Sequence, residues 1–190
     1  MSDIAIRPLA TTPETVAALA MLLVETVAEG GSVSYMHPLP LADAEQFWAG
    51  SLAAAARGER LVLGAFIEGA LAGTVTLILD LPPNQPHRAE IAKMMTGVGF
   101  RRRGVAGGLL RAAEAAACAR GRSLLTLDTA SDGGAAGLYE AHGFIFAGEL
   151  PAFALKPHGG LTGTRLYWKK IAPHRFDQGE AGSGAGAASV

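Results

Sequence analysis

The stretch FRRRGVAGGLL (Phe100–Leu110) places three arginines in front of a run of small residues. The apolar segment at 89–96 before it predicts a β-strand, and LLRAAEAAACARG (109–121) after it predicts a helix that ends at Gly121. A strand, a loop of small residues and a helix in this order favour an anion-binding site, because the first N–H groups of the helix point toward a ligand. The plain alternative is a basic, solvated turn in front of an amphipathic helix.

Two well-known phosphate loops do not match this stretch. The nucleoside-triphosphate loop G-x-x-x-x-G-K-[ST] needs a lysine directly after Gly108, where this chain has Leu109. The dinucleotide fingerprint G-x-G-x-x-G, started at Gly104, needs glycines in place of Ala106 and Leu109. The anion, if one binds here, therefore belongs to another class of ligand.

Outward from the loop, the apolar pattern alternates between strand and helix periods. Helical spacing predicts helices from Thr12-Pro13 to Gly30, over 43–57 and over 133–143. Apolar runs bounded by turn residues predict strands at 4–9, 61–67, 71–81, 123–129, 143–150 and 164–171. Because a strand, helix and strand follow one another in the centre, we expect a crossover and a mixed sheet with helices on its faces.

Composition excludes several classes of function. The chain has 190 residues, 49% of them hydrophobic, which suits one compact domain, and its net charge of -1 does not favour nucleic acid or an anionic membrane as a partner. No segment has the length of a membrane span or the pattern of a signal peptide, so we expect a cytoplasmic protein. Cys118 lies among alanines and is expected to pack like one. The five histidines lack zinc-ligand spacing, so no metal is expected.

The loop also contains R-x-x-G-x-A, formed by Arg101, Gly104 and Ala106, and a later helix carries Tyr139 in LYEAHGF. This pair of signals resembles the GNAT superfamily of acyl-CoA-dependent N-acyltransferases, whose loop reads Q/R-x-x-G-x-G/A. The segments ETVAEGGSVSYM, RAEIAKMM, LLTLDT and GELPAF are similar to the tabtoxin-resistance acetyltransferase group, over roughly residues 22–171.

The resemblance implies a fold and a cofactor. The fold is an α/β (α+β) GNAT domain over residues 1–172, with a central mixed, mostly antiparallel sheet of about seven strands and about four helices, and a disordered tail over 173–190. The cosubstrate is acetyl-CoA, with its pyrophosphate on the N–H groups of Arg102 to Gly107 and its oxyanion near the N–H of Met95. The family's V-x-P is replaced by Thr96-Gly97-Val98, which loosens the segment expected to pair with the pantetheine arm. The implied cofactor-binding residues are Met95, Thr96, Val98, Arg101, Arg102, Arg103, Gly104, Val105, Ala106 and Gly107.

Three residues are candidates for the chemistry. The resemblance places Glu90 as a general base, and the alternative is an acid paired with Arg88 or Lys93. Asp128 lies in a strand that we expect to be buried, so it either has structural hydrogen bonds or acts as a second base and binder of the substrate ammonium. Tyr139 is expected to donate its phenolic proton, with an ordinary pKa near 10, to the thiolate of coenzyme A. The alternative for Tyr139 is a core residue with a satisfied hydroxyl.

The acceptor is expected to meet the loop between the first two helices, which is either the cover of the acceptor cleft or a plain surface loop. Its candidate substrate-binding residues are Ser32, Ser34, Tyr35 and Met36. The predicted function is transfer of an acetyl group to a small-molecule amine, with an amino-acid-like toxin or antibiotic as a candidate. The alternatives are a protein or peptide N-acetyltransferase, and a module that binds acyl-CoA or a toxin without turnover. A monomer and a homodimer are both compatible with the sequence.

Overall fold

A computed structural model describes residues 4–171; the tail predicted over 173–190 lies outside this range. The described chain forms seven strands and four α-helices. In chain order they are β1 (Ala5–Pro8), α1 (Pro13–Ala28), α2 (Leu41–Ala56), β2 (Arg60–Ile67), β3 (Ala70–Ile78), β4 (Arg88–Thr96), α3 (Val105–Cys118), β5 (Leu124–Ala130), α4 (Ala136–Ala141), β6 (Ile145–Leu155) and β7 (Leu161–Lys170). A 3-10 turn, Val98–Phe100, lies between β4 and α3.

The seven strands form one sheet in the order β1-β2-β3-β4-β5-β7-β6. Only β4 and β5 are parallel, and α3 makes the crossover between them. Every other neighbouring pair is antiparallel. The predicted mixed, mostly antiparallel sheet with four helices is therefore confirmed.

The sheet opens in its middle, between β4 and β5. Their ladder consists of three residue pairs and ends at Glu90 and Thr126. Beyond that point β4 continues to Thr96 and β5 to Ala130 without pairing to each other. The ends of both strands therefore leave main-chain groups available on either side of a gap in the sheet.

Strand β4 contains a bulge just beyond the point where this gap begins. Thr76 pairs with Ala92 while Thr74 pairs with Met95, so two residues of β4, Lys93 and Met94, lie opposite Val75. Lys93 has a φ of 48°, in the left-handed region that non-glycine residues rarely adopt. The strand thus bulges near Met95, where the resemblance places the oxyanion.

The bulge explains how one strand contributes to two hydrophobic cores. Ala89 and Ile91 belong to the core under α3, together with Leu109, whereas Met95 belongs to the core under α1 and α2. Residues 91 and 95 would share a face in a regular strand, because side chains alternate with a period of two. One inserted residue reverses the alternation and turns the end of β4 toward the other layer.

Several boundaries and exposures differ from the sequence predictions. The β2–β3 hairpin turn has φ values of 51° at Glu68 and 83° at Gly69, as a two-residue turn requires, but β3 ends at Ile78 and not at residue 81. Strand β6 continues to Leu155 and not only to residue 150, because β7 pairs with it over most of its length. It is an edge strand, and large apolar side chains are exposed along it. Cys118 is exposed near the end of α3, not packed among the alanines.

Candidate active site

The loop between β4 and α3 has the backbone shape of an anion cradle. Arg102 and Gly104 have φ values of 59° and 85°, and Gly104 is the residue that precedes the first turn of α3. Within residues 4–171, the N–H groups from Arg102 to Gly107 donate no hydrogen bond to a turn or loop carbonyl. The first N–H groups of α3 also have no partner inside the helix. Consecutive free N–H groups at the start of a 14-residue helix attract an anion through both hydrogen bonds and the helix dipole.

We expect the side chains of the three arginines to contribute less to anion binding than the backbone of the loop. Arg101 makes an ion pair of 4.0 Å with Glu29, and both side chains are about half exposed. The guanidinium of Arg103 lies 5.5 Å from the centre of the Phe100 ring. Exposed contacts of this kind contribute little free energy, so the arginines add positive charge near the cradle without a fixed geometry.

Gly107 has a packing role besides its free N–H group. A Cβ atom at this position would lie 2.9 Å from Nε2 of His142, in the segment that follows α4. The neighbouring Gly108 is close to Ile6 of β1, at 3.0 Å. Both glycines therefore let other elements pack against the first turn of α3.

The segment before the loop is held by α1. The Oε2 atom of Glu25 accepts a hydrogen bond of 3.3 Å from the N–H of Val98, and the N–H of Gly97 donates to the carbonyl of Ala72. Glu25 was not identified from the sequence, because its contact with Val98 spans 73 residues. This attachment limits the freedom that the two glycines of the segment would otherwise allow.

Tyr139 is buried in α4, yet its hydroxyl makes no hydrogen bond within residues 4–171. Its ring packs against Phe144 and Tyr167 at centroid distances of 5.9 and 6.0 Å. The hydroxyl of Tyr167, in contrast, donates to Glu140 at 3.1 Å.

Burial, and then the negative charge of Asp128, raises the pKa of Tyr139 to about 12. A phenol with that pKa stays protonated at neutral pH, and it is a weaker acid than a thiol with a pKa of about 8.5. Hydrogen-bond donation to a thiolate therefore fits Tyr139 better than complete proton transfer.

Replacing Tyr139 with phenylalanine is expected to remove the last tyrosine ionisation in an alkaline ultraviolet titration, at about pH 12. The folded pKa lies above the unfolded value of about 10, so the group stabilises the fold fully below pH 10 and this contribution is lost as the pH rises toward 12. The unfolding free energy of the wild type should consequently fall more steeply than that of Tyr139→Phe above pH 10. Identical titrations of the two proteins would contradict this environment.

Asp128 lies on β5, two residues beyond the last pair of the β4–β5 ladder. Leu125 and Leu127 fill the buried face, while Asp128 is exposed on the other face, opposite Leu166 of β7. The expectation that a buried strand surrounds this carboxylate is therefore wrong, because the parallel ladder stops before it and the strand is covered on one face here. Thr164 donates a hydrogen bond of 2.9 Å to its Oδ2 atom.

Glu90 is paired with an arginine of its own strand. Its Oε2 atom lies 3.4 Å from Arg88 Nη1, which also donates to Thr126 at 2.7 Å. The Nε and Nη2 atoms of Arg88 donate to Gln85. Of the two ion-pair partners considered for Glu90, the structure thus has Arg88 and not Lys93. The carboxylate remains about one-third exposed, at the point where the sheet opens.

The loop between α1 and α2 reaches over the face of the sheet toward which the side chain of Lys93 points. Ser34, with a φ of 73°, accepts a hydrogen bond of 3.0 Å from Lys93 Nζ. That Nζ lies 6.0 Å from the ring centre of Tyr35 and 5.6 Å from that of Phe47. Ser32 and Met36 are exposed on the loop surface. The structure therefore brings two of the four predicted acceptor residues, Ser34 and Tyr35, to one lysine.

A second attachment joins this loop to the turn between β6 and β7. The N–H of His37 donates to the carbonyl of Pro157 at 2.9 Å, and His158 Nε2 donates to the carbonyl of Ala28 at 2.9 Å. The rings of His37 and His158 are 4.6 Å apart. The loop is thus held from both sides of the gap in the sheet.

Lys93 is a site residue that sequence reasoning missed. The sequence suggested it only as a partner for Glu90, since a lysine in an apolar strand usually points to solvent. In the structure it is half-buried: burial lowers its pKa, and the charge of Asp128 acts in the opposite direction. The signal in the sequence was its position between apolar residues in AEIAKMM.

A sequence model of the Acetyltransferase (GNAT) family matches residues 25–144, which is more than half of the chain. The chain belongs to the GNAT acetyltransferase family. The matched segment includes Glu90, the loop, Asp128 and Tyr139. Within residues 4–171 no cluster of three or more His, Cys, Asp or Glu side chains could hold a metal ion, and no helix is long and apolar enough to cross a membrane.

Solved structures share the fold of this GNAT protein. An N-acetyltransferase from Staphylococcus aureus Mu50 is 19% identical, with a TM-score of 0.75 over 90% of this chain and 100% of its own. A candidate phosphinothricin N-acetyltransferase is 18% identical, with a TM-score of 0.74 over 90% and 100% of the two chains. A candidate acetyltransferase from Salmonella typhimurium, yncA, was solved with its cofactor acetyl-CoA and is 15% identical, with a TM-score of 0.73 over 90% and 96%.

GNAT acetyltransferases use acetyl-CoA, and this protein is an acyl-CoA-dependent acetyltransferase. Its own residues fit that cosubstrate. The free N–H groups of Arg102 to Gly107 suit a pyrophosphate, and the hydroxyl of Tyr139, which has no hydrogen-bond partner within residues 4–171, suits the sulfur. The gap between β4 and β5 offers main-chain groups to an extended arm that connects the two.

Proposed function

We propose that this enzyme transfers the acetyl group of acetyl-CoA to the amine of a small molecule, with amino-acid-like toxins or antibiotics as the candidate acceptors. The observation that carries the proposal is the double attachment of the α1–α2 loop, through Ser34 to Lys93 and through His37 to Pro157. This loop is fixed at Ser34 and at His37 over the face of the sheet that carries Lys93 and Asp128, which we call the acceptor face. A loop fixed there favours an enclosed acceptor over an extended peptide, which needs an open groove. The candidate phosphinothricin N-acetyltransferase among the structural relatives is compatible with a small acceptor, but at 18% identity that likeness concerns the fold alone.

In the proposed mechanism, acetyl-CoA supplies a thioester and the protein supplies positions and charges. Asp128 holds the acceptor ammonium and takes a proton from it, directly or through water, so that the neutral nitrogen attacks the thioester carbon. A main-chain N–H at the β4 bulge near Met95 stabilises the oxyanion. As the C–N bond forms and the C–S bond breaks, the nitrogen loses its second proton to water, and Tyr139 donates a hydrogen bond to the departing thiolate. The thiolate then takes up a proton from water. The products are the acetylated amine and free coenzyme A.

Asp128 is proposed as the working base ahead of Glu90. Its charge acts on both the Tyr139 hydroxyl and the Lys93 ammonium, which supports a position near both groups. Glu90 is instead engaged with Arg88, whose guanidinium is fixed by Thr126 and Gln85. A carboxylate that contacts an arginine must give up that contact before it can receive a substrate ammonium.

A thiol-release assay tests the proposal. Purified enzyme with acetyl-CoA is offered free amino acids, simple alkylamines and a peptide library, and coenzyme A release and acetylated products are measured. We expect release with small amines, and a hundredfold excess of coenzyme A over its Kd should raise the unfolding free energy by about 2.7 kcal/mol. Acetylated peptides without any acetylated small amine would establish the peptide alternative. Coenzyme binding without turnover on any amine would contradict the proposed reaction.

A further inference from the structure

Lys93 lies where β4 leaves regular geometry and presents its ammonium to the acceptor face. The bulge gives it a φ of 48°, and its side chain points toward the α1–α2 loop. A lysine in a regular strand at this depth would face a core or the solvent, whereas the bulge aims it across the face that carries Asp128. A left-handed lysine is an uncommon conformation that costs free energy, which suggests a role for the residue beyond filling space.

The contacts of this ammonium leave binding capacity free. Among the described residues, Ser34 Oγ is its one hydrogen-bond partner, and the rings of Tyr35 and Phe47 flank it. An ammonium has three N–H donors, so two remain available beside Ser34. The rings and the half-buried position reduce its contact with water, which makes an anionic partner more valuable there.

The carboxylate of Asp128 does not take that position. Asp128 interacts electrostatically with Lys93, but no direct ion pair joins the two side chains within residues 4–171. Asp128 accepts a hydrogen bond from Thr164 on its Oδ2 atom, which leaves Oδ1 available. Two opposite charges thus lie on one face of the sheet without a direct ion pair between them. This arrangement is complementary to a ligand that carries one positive and one negative charge.

We propose that Lys93 binds the carboxylate of the acceptor while Asp128 binds its ammonium, so that the acceptor is an α-amino acid or a close zwitterionic analogue. This inference rests on the proposed function and narrows its substrate class. The charge of Asp128 also acts on the Tyr139 hydroxyl, the group proposed to meet the thioester sulfur, so an amine held by Asp128 would be close to the acyl donor. Arg88 is not available for this role, because Glu90, Thr126 and Gln85 engage its guanidinium.

The test uses matched substrates and matched variants. The twenty common L-amino acids are compared with their α-carboxamides, which keep the amine and lose the negative charge. For the wild type we expect acetylation of at least one amino acid, with a KM well below that of its amide. Lys93→Met, which keeps the length and the backbone strain, should raise the KM of the amino acid by about 10- to 100-fold with little change in kcat, as loss of a charged hydrogen bond predicts. The KM of the amide should be unchanged, and Lys93→Arg should recover most of the loss.

Controls separate binding from folding and from net charge. Lys170→Met removes an exposed lysine at the end of β7 and should leave both KM values unchanged. The Tm and the stabilisation by coenzyme A of Lys93→Met should match those of the wild type. Equal effects of Lys93→Met on amino acid and amide, or acetylation of simple amines without any amino acid, would overturn the inference and leave the proposed function standing. Release with none of the small amines would overturn both.

Discussion

Replacing Asp128 with asparagine is expected to lower kcat by about 100- to 1000-fold, because general-base catalysis typically contributes 10²- to 10⁴-fold. Asparagine keeps the size of the side chain and an oxygen that accepts the hydrogen bond of Thr164, so the fold should be preserved. Initial rates of thiol release at saturating acetyl-CoA give kcat, and thermal unfolding checks the structure. The titration of Tyr139 should also move to lower pH in this variant, since the charge of Asp128 raises its pKa.

Glu90→Gln is the matched comparison for this experiment. Both variants exchange one carboxylate for an amide on neighbouring strands, but Glu90 is held by Arg88 and Asp128 has no ion-pair partner within residues 4–171. We expect kcat of Glu90→Gln to fall by less than about tenfold, well below the range for a lost general base. A larger loss for Glu90→Gln than for Asp128→Asn would assign the base to Glu90.

Replacing Gly104 with valine is expected to abolish coenzyme A binding while the protein remains folded. The φ of 85° at Gly104 is unfavourable for a β-branched residue by roughly 1–2 kcal/mol, although an added Cβ would have only Ile4 within 4 Å, at 3.9 Å. The loop is therefore expected to relax to a different backbone shape, which would disperse the N–H groups that converge on the anion. Calorimetric titration with coenzyme A measures the loss.

Gly121→Val is the control for backbone strain. Gly121 has a φ of 68° with nothing near the position of an added Cβ, and it lies past the opposite end of α3 from the loop. Its unfolding free energy should fall by a similar amount, with unchanged affinity for coenzyme A. If Gly104→Val retained the affinity of the wild type, the loop would not be the pyrophosphate site.

The stability of the site depends on contacts between distant segments. Glu25 of α1 holds Val98, Ser34 of the α1–α2 loop holds Lys93, and Thr164 of β7 holds Asp128. Each contact is a single hydrogen bond with a modest net free energy. Their combined effect is to hold the α1–α2 loop, the bulged strand β4 and the carboxylate of Asp128 in one arrangement.

The local features of this protein were available in the sequence. The spacing of Arg101, Gly104 and Ala106, followed by Tyr139, identified the loop and the family, because a small-residue turn into a helix is encoded by adjacent residues. The apolar periods located the seven strands and four helices to within a few residues, since each period reflects one face that must be buried. The positive φ at Gly104 follows from the same local requirement.

The charges of the site were decided only by the tertiary structure. Asp128 is exposed because the β4–β5 ladder stops at Thr126, and Lys93 faces the α1–α2 loop because one extra residue in β4 reverses its side-chain alternation. Glu90 forms its ion pair with Arg88 because hydrogen bonds to Thr126 and Gln85 hold the Arg88 guanidinium beside it. Ladder length, bulge position and pairing between strands depend on residues far apart in the chain, and a change of one position in register moves a side chain to the opposite face. The sequence therefore determined where the glycine-rich loop between β4 and α3 lies, and the folded sheet decided that Asp128 and Lys93 share one face.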